Sequence, residues 1–111
     1  MFGSRHDQHS DATLLRTLKV IHELEPVTTA DLGKRARELK IYTPRGGSTE
    51  QKERKKDQRW STHICSEMLQ IGLVTRAYHR VVYRYELRYS LSKRGLSYLN
   101  LVHVSPTSDN A

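Results

Sequence analysis

At 111 residues the chain suits one domain with one modest core. Its mean hydropathy is −0.71, no apolar run approaches the ~20 residues of a membrane span, and a single cysteine, Cys65, excludes a disulfide within the chain. Nineteen Lys and Arg against twelve Asp and Glu give a net charge of +7 and a sequence pI near 9.8, a balance that suits a polyanionic partner.

Residues 1–9 are polar and read as a disordered segment without the apolar core of a signal peptide. With the lone thiol, this makes a soluble, cytoplasmic protein the expectation. Ser10 or Asp11 can cap a first helix, whose Leu14, Leu15, Leu18, Ile21 and Leu24 recur at helical spacing until Pro26 ends it. Thr28 suits the N-cap of a second helix, and Asp31 can answer its backbone N–H as in a capping box. That helix runs to about Leu39 and buries Leu32, Ala36 and Leu39. Residues 42–48 form a loop, because Thr43 precedes a proline and Gly46-Gly47 is costly to order. Residues 49–59 have good helix propensity and no apolar member. They are either an exposed basic extension of a third helix, capped through Ser48 and Gln51, or a mobile loop.

The third helix proper covers residues 60–71. Trp60, Ile64, Cys65, Met68 and Leu69 share one broad face, and Thr62, His63, Ser66 and Glu67 the other. Gly72 takes the left-handed position that ends it. From Leu73 the period becomes two, with Val74, Arg76 and Tyr78 alternating with Thr75, Ala77 and His79. A turn near residues 79–82 leads to a return strand with Tyr83, Tyr85, Leu87, Tyr89 and Leu91 on one face and Arg84, Glu86 and Arg88 on the other. Ser92 caps a final helix over residues 93–102 with Leu96, Leu99 and Val102 as its stripe, and residues 103–111 form a polar tail. The domain therefore spans residues 10–102.

Charge is unevenly placed along these elements. Residues 1–44 carry seven basic and six acidic side chains, residues 45–59 six and three, and residues 73–98 six and one. The excess flanks the third helix on both sides, which a merely solvated surface does not require.

Gly72-Leu73-Val74-Thr75-Arg76, followed by Tyr89-Ser90-Leu91-Ser92-Lys93-Arg94-Gly95 and Leu99, resembles the wing of MarR- and PadR-like transcriptional regulators. In those families a Gly-Leu-Val-x-Arg strand start and a Tyr-x-Leu-Thr-x-x-Gly strand end bracket the wing. Residues 27–32 look like the start of their second helix. The resemblance covers roughly residues 11–101 and implies an α+β winged helix: a three-helix helix-turn-helix core, a β-hairpin wing and a C-terminal helix. The linker over residues 40–59 departs from it, being far longer than the ~3–4 residues of a tight helix-turn-helix turn.

A helix that enters a major groove needs short polar side chains and a few reaching donors. Gln58, Arg59, Ser61, Thr62, His63 and Ser66 supply both. Arg76, His79, Arg80, Arg84 and Arg88 in the wing, opposed only by Glu86, suit phosphates or a narrow minor groove. Lys52, Arg54, Lys55 and Lys56 add a second cluster, although Glu50, Glu53 and Asp57 at helical spacing can pair with them locally. Among the tyrosines, Tyr85 and Tyr89 are expected to pack as strand core rather than to stack on bases. The six histidines and Cys65 lack metal-ligand spacing. No phosphate loop, nucleophile elbow or catalytic acid pair is present. The expectation is a cofactor-free, non-enzymatic protein that binds double-stranded DNA as a small transcriptional regulator, dimerising through the C-terminal helix. The alternative is an RNA-binding or protein-interaction winged helix, which predicts solvent-exposed tyrosines.

Overall fold

The computed structural model describes residues 9–44 and 49–108, except for the side chains of Glu50 and residues 101–108. Three helices, a hairpin and a fourth helix follow in order: α1 (Asp11–Leu24), α2 (Thr29–Glu38), α3 (Glu50–Gln70), β1 (Val74–Val81), β2 (Arg84–Leu91) and α4 (Lys93–Ser108). The class is α+β, with a two-stranded antiparallel sheet.

Each helix starts at a hydroxyl cap. The Ser10 side chain accepts from the Thr13 N–H, Thr28 from Asp31 and Thr49 from Lys52. Each cap satisfies one of the orphan donors of a first turn. The cap of α3 is thus Thr49 rather than Ser48, which lies outside the described residues. Of the two readings for residues 49–59, the helical extension is the one found, and α3 runs unbroken for 21 residues.

The core is one cluster. Leu14, Leu18, Val20 and Ile21 enter from α1, Leu32 from α2, Ile64, Cys65 and Met68 from α3, and Leu73, Val74 and Tyr89 from the hairpin. Burial of each large aliphatic side chain contributes about 1.5–3 kcal/mol relative to exposure. Thr17 is also fully buried, where its hydroxyl donates to the Thr13 carbonyl at 2.7 Å. Three expected core leucines lie at the surface: Leu24 in the last turn of α1, Leu39 at the C-cap of α2 and Leu96 near the start of α4. In α4, Leu99 is buried and Tyr98 packs against the core in place of Leu96. The helix does not stop at Val102 but runs to Ser108, so part of the expected polar tail is helical. The Val102 side chain, expected on the apolar stripe of this helix, lies outside the described residues.

The sequence punctuation at residues 72–73 and 92–95 has one physical cause. Gly72, at φ +81, turns the chain out of α3. The Ser92 hydroxyl donates to the Gly72 carbonyl at 2.6 Å and accepts from the Gly95 N–H at 2.9 Å, while the Ser92 N–H donates to the Leu73 carbonyl at 3.1 Å. A Cβ on Gly95 would overlap that Leu73 carbonyl. The two ends of the hairpin are therefore tied at one knot, and only glycine fits at residue 95.

The turn sits one step later than the spacing predicts. Val81 pairs with Arg84, leaving Val82-Tyr83 as a two-residue loop with Val82 at φ +48. A further contact was not legible in the sequence. Val27 bridges Tyr89, with N–H to carbonyl distances of 2.9 and 2.8 Å in the two directions. The Glu25 carboxylate accepts from the Leu91 N–H at 2.9 Å. The α1–α2 connection is thereby attached to the outer edge of β2.

Candidate nucleic-acid interface

One exposed face of α3 gathers five of the expected residues. Lys55, Gln58, Arg59, Thr62 and His63 line a shallow cleft of about 410 Å³. Their spacing of three or four residues places them in neighbouring turns. Ser66 and Lys52 are exposed on the same helix, as is Arg54, whereas Lys56 is half-buried.

Ser61 does not belong to this face. It is 0% exposed, and its hydroxyl lies beside the Cys65 thiol. The helical phase explains the correction: Ser61 stands four residues after Asp57 and four before Cys65, all three on the buried stripe. Choosing it by polarity overrode the periodicity.

Three acids of α3, Glu53, Asp57 and Glu67, are each engaged from outside the helix, and the Glu50 side chain lies outside the described residues. Asp57 does not pair locally; it is 1% exposed and accepts from Arg37 Nε at 3.0 and 3.1 Å and from the Tyr42 hydroxyl. Tyr42 stacks on Trp60 with ring centroids 4.9 Å apart, and Glu53 lies 3.9 Å from Arg37. The hydrogen bond to Asp57 raises the affinity of Arg37 for its proton. Burial, reinforced by Asp57, pushes the Tyr42 phenol above its usual range. Glu67, expected on the exposed face, is covered by the N-terminal segment: His9 donates its backbone N–H at 3.1 Å, and its ring Nδ1 lies 2.7 Å from Oε1. His9 also meets Trp60 edge-on. Of the expected disordered segment, His9 is thus fixed, and residues 1–8 lie outside the described residues. A loop over residues 42–48 gives no sign, in the sequence, that Tyr42 has a partner. A helical wheel carried one turn upstream of Trp60 would have placed Asp57 inside and asked for its partner.

On the hairpin, register sorts the cations onto two faces. Arg84 and Arg88 share Glu86, at 3.2 and 2.7 Å, and their proximity, chiefly the hydrogen bond from Arg88, holds the Glu86 carboxyl below the usual range. Arg88 also reaches the Pro26 carbonyl and is only one-third exposed. His79 stands opposite Glu86 on that face and is half-buried. The other face carries Val74, Arg76, Tyr78 and Arg80 opposite Leu91, Tyr89, Leu87 and Tyr85. Near the knot this face is core. Toward the tip it is open, with Tyr78 71%, Tyr85 65% and the turn residue Tyr83 97% exposed. Tyr89 packs inside as expected, but Tyr85 does not. Strands of eight residues reach about 27 Å, and their distal ends extend beyond the buried core.

Among the described residues no three His, Cys, Asp or Glu side chains gather as a metal site, and no helix is long and apolar enough to cross a membrane. Cys65 is fully buried, and burial pushes its thiol up to about 12. The chain matches no family model, no curated protein and no solved structure.

Proposed function

We propose that this chain is a winged-helix domain that binds double-stranded DNA as a small transcriptional regulator. In this reading α3 enters the major groove through Lys55, Gln58, Arg59, Thr62 and His63, and the hairpin is the wing, lying on the adjacent backbone. The observation that carries the reading is the segregation of charge on α3: exposed cations and short polar groups share one cleft, while Glu53, Asp57 and Glu67 are each engaged by a group from another element. Phosphate binding is repelled by free carboxylates, so the engagement of these three favours a polyanion. The helical extension supplies Lys52, Arg54 and Lys56 along the same helix, and Arg76 and Arg80 supply exposed cations on the wing.

The test is selection of bound fragments from a random duplex pool, followed by anisotropy titrations across salt. A shared sequence should be enriched. Arg76→Glu with Arg80→Glu should weaken binding to every duplex and flatten its salt dependence. Thr62→Ala with His63→Ala should instead narrow the gap between target and random duplex by about 1–3 kcal/mol per lost base contact. A pool with no enriched sequence, or no duplex binding at low salt, rejects the reading.

A homodimer through α4 is part of the proposal, since two half-sites strengthen specific binding. Its support is the exposed Leu96 and the neighbouring cleft of about 460 Å³, lined by Leu14, Ile71, Leu73 and Tyr98 with Asp11 and Arg94. The second reading, an RNA-binding module, is favoured by one observation, the exposed Tyr78, Tyr83 and Tyr85. Competition between duplex DNA and single-stranded RNA separates the two.

A further inference from the structure

Three aromatic side chains are exposed toward the far end of the hairpin, beside two arginines, and an ordinary duplex-backbone contact makes no use of them. Solvent exposure of Tyr78, Tyr83 and Tyr85 forfeits the apolar burial that tyrosine normally gains. We propose that the open face of the hairpin tip is a stacking platform for unpaired nucleotides, so that the domain prefers DNA at a boundary between duplex and single strand. The inference rests on the nucleic-acid reading above and names the form of DNA that the site takes.

Register supplies the geometry. Arg80 stands directly across from Tyr85, and Tyr78 across from Leu87. Tyr78 and Tyr85 are therefore diagonal neighbours on one face, about 7–8 Å apart at the backbone. That gap is roughly twice the ~3.4 Å rise between stacked bases, the space one base occupies between two rings. Arg76 and Arg80 flank Tyr78 along β1, each ~6.6–6.8 Å from it as alternate residues of a strand. Cations thus alternate with a ring along the face, as phosphates alternate with bases along a single strand.

Charge favours this face over its reverse. The sole acid of the hairpin, Glu86, points to the other side, where Arg84 and Arg88 neutralise it. The open face carries two arginines and, toward the tip, no carboxylate. A platform of rings and positive charge is the arrangement that binds single strands with little sequence preference, because every base has a π-face and every nucleotide a phosphate. The exposed Val82 at the turn adds an apolar tip that can meet the last base pair of a duplex end. With α3 on the duplex and the tip on the unpaired strand, one domain would hold both sides of the boundary.

The experiment uses the full chain and three DNA probes: a blunt duplex, the same duplex with a thymidine single-stranded extension, and the extension alone. A fluorescent adenine analogue in the extension reports stacking by quenching. The tailed duplex should bind about tenfold or more tightly than the blunt one, the gain expected from one or two stacked bases. Tyr78→Ala with Tyr85→Ala should abolish that preference and the quenching while leaving blunt-duplex affinity unchanged. Phe at both positions should retain the preference, since the ring is kept. These side chains are exposed, and an unchanged circular dichroism spectrum and melting temperature show that the variants fold. Equal affinity for blunt and tailed duplexes overturns the inference and leaves duplex binding standing. Tighter binding of the isolated extension than of the tailed duplex overturns the boundary preference. Absence of binding to all three probes rejects the nucleic-acid reading itself, and the inference with it.

Discussion

Asp57 illustrates how one side chain can set the behaviour of a helix. Its carboxylate is nearly closed to solvent and answers both Arg37 and Tyr42, which come from α2 and the segment after it. Truncation to Ala would strip Arg37 of its partner and leave the Tyr42 hydroxyl unanswered beside Trp60. Because Arg37 stays partly solvated, the cost falls at the lower end for a broken buried pair, about 2–3 kcal/mol. A denaturant titration of Asp57→Ala should show that loss as a lower midpoint. Buried acidic hydrogens also govern the alkaline limit of the fold. The Cys65 thiol is raised from its ordinary value of 9.0 to about 12. A raised folded value contributes stability that is complete below the unfolded value and is lost as pH climbs through the folded one. Tyr42 is raised in the same sense. Melting temperature should therefore fall between about pH 9 and pH 12, and Cys65→Ala should make that decline shallower. A melting temperature independent of alkaline pH would contradict the burial of both groups.

At the scale of elements, close approach is the recurring device. Gly33 lets α2 lie directly on α3: a Cβ there would overlap the carbonyl of Asp57. That atom is helix backbone and cannot rotate aside, so Gly33→Ala must separate the helices. The expected destabilisation is about 1–3 kcal/mol, the usual cost of overpacking, and hydrogen exchange should quicken first in the upstream half of α3. A variant as stable as the parent would show that the two helices can part without penalty. Periodicity revealed most of the elements, because the apolar stripe of α1, the stop at Gly72 and the alternation after Leu73 are local signals. It failed where the partner is distant in sequence. The burial of Asp57 depends on Arg37 and Tyr42, the bridge at Val27 depends on Tyr89, and the covering of Glu67 depends on His9. The candidate site followed the same rule. The residues of the α3 cleft share one helix and were readable from spacing alone, as was the grouping of Arg84 and Arg88 with Glu86, whereas the placement of Arg76 and Arg80 on the opposite face required the register. The exposure of Tyr85 was missed because alternation identifies a face but not how far along that face the core extends.

For the whole molecule, the proposed homodimer gives the most direct measurement. Sedimentation at micromolar concentration should yield a species of twice the 12.9 kDa chain mass. Leu96→Glu should convert it to a monomer without unfolding it, since Leu96 already faces solvent. A parent chain that sediments as a monomer, free and on DNA, excludes this assembly. The knot joining Gly72, Leu73, Ser92 and Gly95 has a separate consequence for how such a molecule can change. It closes residues 73–92 into a loop whose ends are fixed to each other as well as to the body. One residue added to each strand beside Val82-Tyr83 would reverse the side to which the turn points while leaving Tyr78 and Tyr85 on theirs, and two added to each would restore the turn and lengthen the arm by about 6.6 Å. The fold thus joins a base closed by a glycine contact at residue 95 to an arm whose reach can change by two residues per strand at a time.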